Sequence, residues 1–284
     1  MIDVLCKSII KQLSINRIVE TGTDKGETIA ETSRWFAEFY PEFGQVIREE
    51  KSPSRSYSLN SEPIAYPVFS ATSSSNYQIY SVDIDEHSYQ VAQERFKTNN
   101  NIHLVCASSE LFLKSLLKQE AQEHHNYLFF LDAHWGKYWP LRDEIKVIRK
   151  LDKYVIVIDD FFVPGKSNPA FPHGAFGFDL YQNRILSWGY LCDLFERTQV
   201  RVYYPKEPNR DQRGWVVLFH GFGDDELKFM DSLALFEMDP ADKTHSAPVK
   251  PVWRSHWDVK NILKEIVPIH LLRQLHRFYE RVTS

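Results

Sequence analysis

Two runs of apolar residues, Tyr127–Leu131 (YLFFL) and Tyr154–Ile158 (YVIVI), lack in–out alternation. Each ends directly in acid, Asp132 after the first and the pair Asp159–Asp160 after the second. Strands that are apolar throughout, alternating with helices, read as a parallel sheet covered on both faces. The rest of the chain extends that alternation. Arg17–Glu20 is a short apolar run followed by the glycine turn TGTDKG and a helix over Glu27–Phe39. Ile79–Val82 ends at Asp83 and precedes a helix over His87–Lys97, and Ile102–Cys106 precedes a helix over Glu110–Gln122. Leu141–Leu151 reads as the helix between the two fully apolar strands. After Asp160 come a Gly/Pro/aromatic loop over Phe161–Phe178, a helix expected over Asp179–Arg197, and strands over Val200–Tyr204 and Trp215–His220. The turn-rich segment PKEPNRDQRG joins those last two strands as a hairpin. The expected fold is α/β: a doubly wound, mostly parallel seven-stranded sheet with a C-terminal antiparallel hairpin.

This order divides the 284 residues into a main domain over 1–222 and an extension over 223–284. In the extension, Gly223–Lys250 reads as irregular and Asp258–Val282 as helical, with a break at Pro268. Tyr40–Tyr77, polar and holding the serine-rich tract Ser70–Ser75, is long for a connection and is expected to be a peripheral, mobile insertion. At the N-terminus, Ile2, Leu5, Ile9 and Leu13 recur on one helical face, while Asp3, Lys7 and Lys11 interrupt any apolar stretch. No signal peptide or membrane span is expected, and the location expected is cytoplasmic. The formal net charge of −4 advertises neither nucleic acid nor an anionic membrane as a partner. Three widely spaced cysteines without a CxxC pair argue against a disulfide framework and a zinc site.

In an open parallel sheet the ligand lies beyond the carboxyl ends of the strands. Here those ends carry Glu20, Asp83, Asp132, Asp159 and Asp160. Gly22 and Gly26 frame the first turn, where glycine permits positive φ and close backbone approach. Thr23 and Asp24 break the GxGxxG dinucleotide pattern, and Asp24 would meet a pyrophosphate with like charge. A zwitterionic amino-acid ligand is better tolerated, with Glu20 on its ammonium and backbone N–H groups on its carboxylate.

The stretch RIVETGTDKGET resembles the first motif of the class I S-adenosylmethionine (SAM) dependent methyltransferases, in the E-x-G-x-x-x-G form of small-molecule O-methyltransferases. The resemblance covers roughly 17–221 and implies a Rossmann-like sheet of seven strands. It implies SAM as cofactor, held by Glu20, Thr21, Gly22, Thr23 and Gly26, with Asp83 on the ribose hydroxyls and Asp132 also at the cofactor. The family's Gly-Asp-Ser turn near the adenine is Cys106-Ala107-Ser108 here, so only Ser108 carries over. Some sugar and macrolide O-methyltransferases, and the cephalosporin-hydroxylase-like branch, place one Asp after the fourth strand and two acids after the fifth. Asp132, Asp159 and Asp160 match that layout, which implies Mg²⁺ among them; the other reading makes Asp159 a cap of the following turn. His134, just beyond the fourth strand, is the candidate general base, with Asp132 the alternative. Trp135, Tyr138, Trp139, Phe161, Phe162, Phe171, His173, Phe176 and Phe178 crowd the loops there and are expected to form a lid over a small hydroxylated acceptor. The motifs leave open a non-catalytic SAM-fold protein and an NAD- or nucleotide-binding oxidoreductase. They do not decide whether the chain forms a homo-oligomer.

Overall fold

The structure, a computed structural model, describes residues 2–39, 77–121, 124–133, 138–165, 175–181, 184–195, 200–209 and 212–238. Strands β1 (Arg17–Thr21), β2 (Gln78–Asp83), β3 (Ile102–Cys106), β4 (Tyr127–Leu131) and β5 (Tyr154–Ile158) run parallel in the order 3-2-1-4-5. Helices α1 (Ile2–Gln12), α2 (Glu27–Phe39), α3 (Glu86–Phe96), α4 (Ser109–Gln119) and α5 (Leu141–Ile148) precede or connect them. A two-stranded ribbon, β6 (Leu180–Tyr181) and β7 (Arg184–Ile185), and the short helix α6 (Trp188–Leu191) follow β5. Strand β8 (Val200–Pro205) then pairs antiparallel with β9 (Val216–His220), and β9 pairs antiparallel with β5. After the short helix α7 (Asp224–Leu227), strand β10 (Leu235–Met238) adds to β8 and completes an eight-stranded sheet.

The absence of in–out alternation has the expected cause, since neighbouring residues of each central strand enter different cores. Val19, Phe129, Leu131, Ile156 and Ile158 pack on one face with Phe112 and Leu116 of α4, Ile145 and Ile148 of α5, and Trp188 of α6. Ile18, Leu128, Val155 and Val157 pack on the other with Leu5 and Ile9 of α1, Ile29 and Phe36 of α2, and Trp215. Each such side chain removed from water contributes about 1.5–3 kcal/mol before entropy is set against it. At the amino ends of the strands, Glu120 clamps the sheet. It accepts from Arg17 Nε at 2.9 Å, Tyr80 Oη at 2.8 Å and Tyr127 Oη at 2.6 Å. The opposite, carboxyl ends carry the turns that form the site.

Two expectations are corrected. Asp179–Arg197 is not one helix: its first residues send their backbone hydrogen bonds across space instead of four residues back. Asp179 N–H donates to Asp160 O at 2.8 Å, and Phe162 N–H donates to Leu186 O at 2.7 Å. The sheet has eight strands, because Leu235–Met238 of the segment expected to be irregular pairs with β8. There Arg201 forks onto Glu237, Nε to Oε1 at 2.6 Å and Nη2 to Oε2 at 2.8 Å. The insertion expected over Tyr40–Tyr77 lies, apart from Tyr77, outside the described residues, as does the helix expected over Asp258–Val282. Among the described residues no helix is long and apolar enough to cross a membrane.

Candidate functional site

The first turn leaves β1 at Thr21 and is tied to both neighbouring strands. Gly22 N–H donates to Val82 O at 3.0 Å, and Asp132 N–H donates to Thr21 O at 3.0 Å. Gly22 and Gly26 hold φ of +88° and +72°, and Asp24 between them holds +43°. A Cβ at Gly22 would lie 2.9 Å from the backbone carbonyl carbon and oxygen of Asp132 and 3.0 Å from Ala133 N. The turn therefore lies against the end of β4 at a distance that only glycine allows.

Side chains beneath the turn fix its shape. Glu20 stands opposite Ser81 in the β1–β2 register, and Ser81 Oγ donates to Glu20 Oε2 at 2.7 Å. Thr23 Oγ1 and Ser81 Oγ are 2.6 Å apart. Burial pushes the Glu20 carboxyl up to about 8. Glu20 is thus a buried support of the turn rather than a wall of the cavity, because a strand covered on both faces leaves its side chain no route to solvent. Thr21 and Thr23 are buried with it.

Beyond the strand ends lies a cavity of about 450 Å³, lined by Gly22, Asp24, Asp83, Asp85, Ser109 and Asp132 together with Val82, Ile84, Ser88, Ala107 and Ala133. That volume is in the range of small-molecule sites. Asp83 is positioned by the backbone: its Oδ2 accepts from Asp24 N–H at 2.9 Å and its Oδ1 from Asp85 N–H at 2.8 Å. Asp85 caps α3 by accepting from Ser88 N–H at 2.8 Å, which holds its carboxyl below the usual range. Four carboxylates and no lysine or arginine line this cavity among the described residues.

Of the residues expected at a cofactor, Gly22, Asp83 and Asp132 face the cavity, while Gly26 closes the turn through Gly26 N–H to Thr23 O at 2.8 Å. Ser108 is the residue before α4, and its neighbours Ala107 and Ser109 are the ones that reach the cavity. Sequence reasoning missed Asp85, although an Asp three residues before Ser88 is a helix-capping signal. It also missed Glu144, a fully buried carboxyl on α5. Burial raises this carboxyl to about 7, with Ser109 and Thr21 acting against the rise and Asp132 adding to it.

A second, smaller space of about 10 Å³ adjoins the first and is lined by Asp132, Asp159, Asp160, Asp179 and apolar residues. The resemblance implied a divalent ion here, and the side chains do not fit one. Arg213 forms ion pairs with both Asp160 and Asp179. Asp159 Oδ1 accepts from Asp160 N–H at 2.9 Å and from Asn209 Nδ2 at 3.2 Å. Among the described residues no three His, Cys, Asp or Glu side chains are grouped to hold a metal. Burial pushes both Asp159 and Asp160 upward, with Asp179 adding to the rise at Asp160 and Arg213 pulling against it. Asp160 also holds φ of +57°, in the left-handed region.

The aromatic loops divide. Phe161, Phe162 and Trp139 are buried, Phe162 lying edge-on to Phe178 at 5.3 Å and Trp139 stacking on Tyr190 at 5.1 Å. These rings are core rather than lid. Tyr138 is exposed and donates to Asp143 Oδ2 at 2.7 Å. His134, Trp135, Phe171 and His173 lie outside the described residues.

No protein-family model matches the chain, and no curated protein sequence matches it. Among solved structures, it is similar to the O-methyltransferase TomG from Streptomyces achromogenes, involved in tomaymycin synthesis and solved with SAM. The identity is 11%, the coverage 78% of this chain and 79% of that one, and the TM-score 0.48. It is similar to an O-methyltransferase from Bacillus cereus in complex with SAH, at 11% identity, 77% and 80% coverage and a TM-score of 0.44. An rRNA methylase from Streptococcus thermophilus matches at 13% identity, 78% and 97% coverage and a TM-score of 0.39. Likenesses at these scores carry no argument about ligand or reaction, which rests on the site itself.

Proposed function

We propose that this chain is a SAM-dependent methyltransferase acting on the hydroxyl of a small acceptor. The observation that carries the reading is the charge of the larger cavity: Asp24, Asp83, Asp85 and Asp132 line it, without a lysine or arginine among the described residues. A dinucleotide would bring its pyrophosphate against these carboxylates. SAM brings a sulfonium and an ammonium, and its ribose offers hydroxyl donors. Asp83, held by two backbone N–H groups, has acceptor capacity left for a ribose diol. The close contact of Gly22 with the end of β4 leaves backbone as the cavity wall where the amino-acid part of the ligand would lie.

Bound there, SAM would supply an electrophilic methyl group for an acceptor oxygen, with S-adenosylhomocysteine as the leaving group, and the chain would have to supply a base for the hydroxyl proton. Asp132, which lines both spaces, is one candidate for that base; His134, two residues on, is the other from sequence. Mg²⁺ is no part of this proposal, since of the three carboxylates expected to hold it Asp160 already pairs with Arg213 and Asp159 accepts from Asn209. The test is transfer of labelled methyl from SAM to a panel of sugar, phenol and polyketide hydroxyls. Label in an ether product supports the reading. SAM binding without transfer to any nucleophile would leave a non-catalytic SAM-fold protein instead.

A further inference from the structure

The acidic cluster behind the cofactor cavity poses a charge problem. Asp159, Asp160 and Asp179 converge there with Asp132, around a space of about 10 Å³. Carboxylates so placed raise one another's energy unless a cation stands among them. The cation present is a side chain. Arg213 enters from the β8–β9 connection, and its side chain is 16% exposed against 19% for Asp160 and 23% for Asp179. Its Nε pairs with Asp160 Oδ1 and its Nη2 donates to Asp179 Oδ1, so one edge of the planar group bridges two acids.

The backbone holds Arg213 in that place from both sides. Arg213 N–H donates to Asn209 Oδ1 and Asn209 N–H to Arg213 O, each at 2.8 Å. Gly214 N–H donates to Gly177 O at 2.8 Å, and Phe161 N–H donates to Gly214 O at 2.9 Å. The segment just after β5, the segment just before β6, and the connection that carries Arg213 are thereby one hydrogen-bonded unit. Asn209 turns its side-chain amide to Asp159 from the same connection.

We propose that Arg213 is the resident cation of this cluster, doing for Asp160 and Asp179 the charge balancing that a divalent ion does in O-methyltransferases with a similar acidic layout. The proposal is independent of the cofactor reading, and its test needs no turnover. Thermal unfolding of the full chain is followed for wild type, D160N, R213Q and D160N/R213Q, each with EDTA and with millimolar Mg²⁺ or Mn²⁺. Asn tolerates positive φ, so D160N keeps the backbone at that position. R213Q should lower Tm by about 5–10 °C, as expected for a largely buried charge left without its partner. Adding D160N to R213Q should recover a large part of that loss, because it removes an uncompensated acid; Arg213 acting only through packing would give no recovery. Wild-type Tm should be the same in EDTA and in Mg²⁺. A double variant no more stable than R213Q would overturn the proposal, including where R213Q alone fails to fold. A Mg²⁺-dependent rise in wild-type Tm that D160N abolishes would overturn it equally.

Discussion

Gly22→Ala is the substitution on which fold and function most directly meet. At φ of +88°, an L side chain costs about 1–2 kcal/mol. The added Cβ would also lie 2.9 Å from the carbonyl carbon and oxygen of Asp132 and 3.0 Å from Ala133 N. All three are backbone atoms, and they belong to a segment hydrogen-bonded to β1 through Asp132 N–H and Thr21 O at 3.0 Å. Ordinary contact would require the turn and the end of β4 to part by about half an ångström, which weakens that bond and adds about 1 kcal/mol. The total of about 2–3 kcal/mol corresponds to a fall in Tm of about 4–12 °C for a domain of this size. Because both displaced segments line the larger cavity, SAM affinity should fall by at least about tenfold, or 1.4 kcal/mol. Differential scanning fluorimetry and calorimetric titration on one preparation read both effects. Wild-type Tm together with wild-type SAM affinity would show that the turn does not lie against β4 as described.

Asp83→Ala should weaken SAM binding by about 10- to 100-fold in calorimetry, the loss of about 1.5–3 kcal/mol from hydrogen bonds to a charged group, with NAD binding absent in both proteins. Glu20 and Glu144, raised by burial to about 8 and about 7, are protonated in the folded chain while their unfolded forms, near 4.5, are not. Their contribution to stability is therefore full below about pH 4.5 and is lost as pH rises through 7 and 8. Glu144→Gln should show a smaller decline of Tm between about pH 5 and 8 than wild type; parallel Tm–pH curves would remove Glu144 as a titrating group. Phe129→Ala, deep in β4, should lose about 3–5 kcal/mol of unfolding free energy in urea titration without changing the SAM binding of the folded fraction.

Legibility in the sequence followed how local the cause was. Strands β4 and β5 were read to the residue, because a strand between two helical layers needs apolar side chains on both faces, and YLFFL and YVIVI have no other reading. That Gly22, Asp83 and Asp132 line one cavity was legible because topology brings the strand ends together whatever the side chains do. The burial of Glu20 against Ser81 was not legible, because that partner is set by strand register, which one strand does not disclose. Ser108 was carried over from the family's turn, whereas the serine that lines the cavity is Ser109, because a one-residue step at a helix start decides which side chain enters it. Leu235–Met238 is a short strand with a charged residue inside it, and only its pairing with β8 makes it one. Arg213 and Asn209 sit in a segment whose sequence shows turn chemistry alone. Their role arises from where β8 and β9 deliver that turn in space.

The most direct test of the account is calorimetric titration of the purified full chain with SAM and, separately, with NAD. A cavity walled by Asp24, Asp83, Asp85 and Asp132 predicts saturable binding of one SAM per chain, with Kd on the order of 1–100 µM, and no saturable heat from NAD. Saturable NAD binding with none for SAM would contradict the central claim.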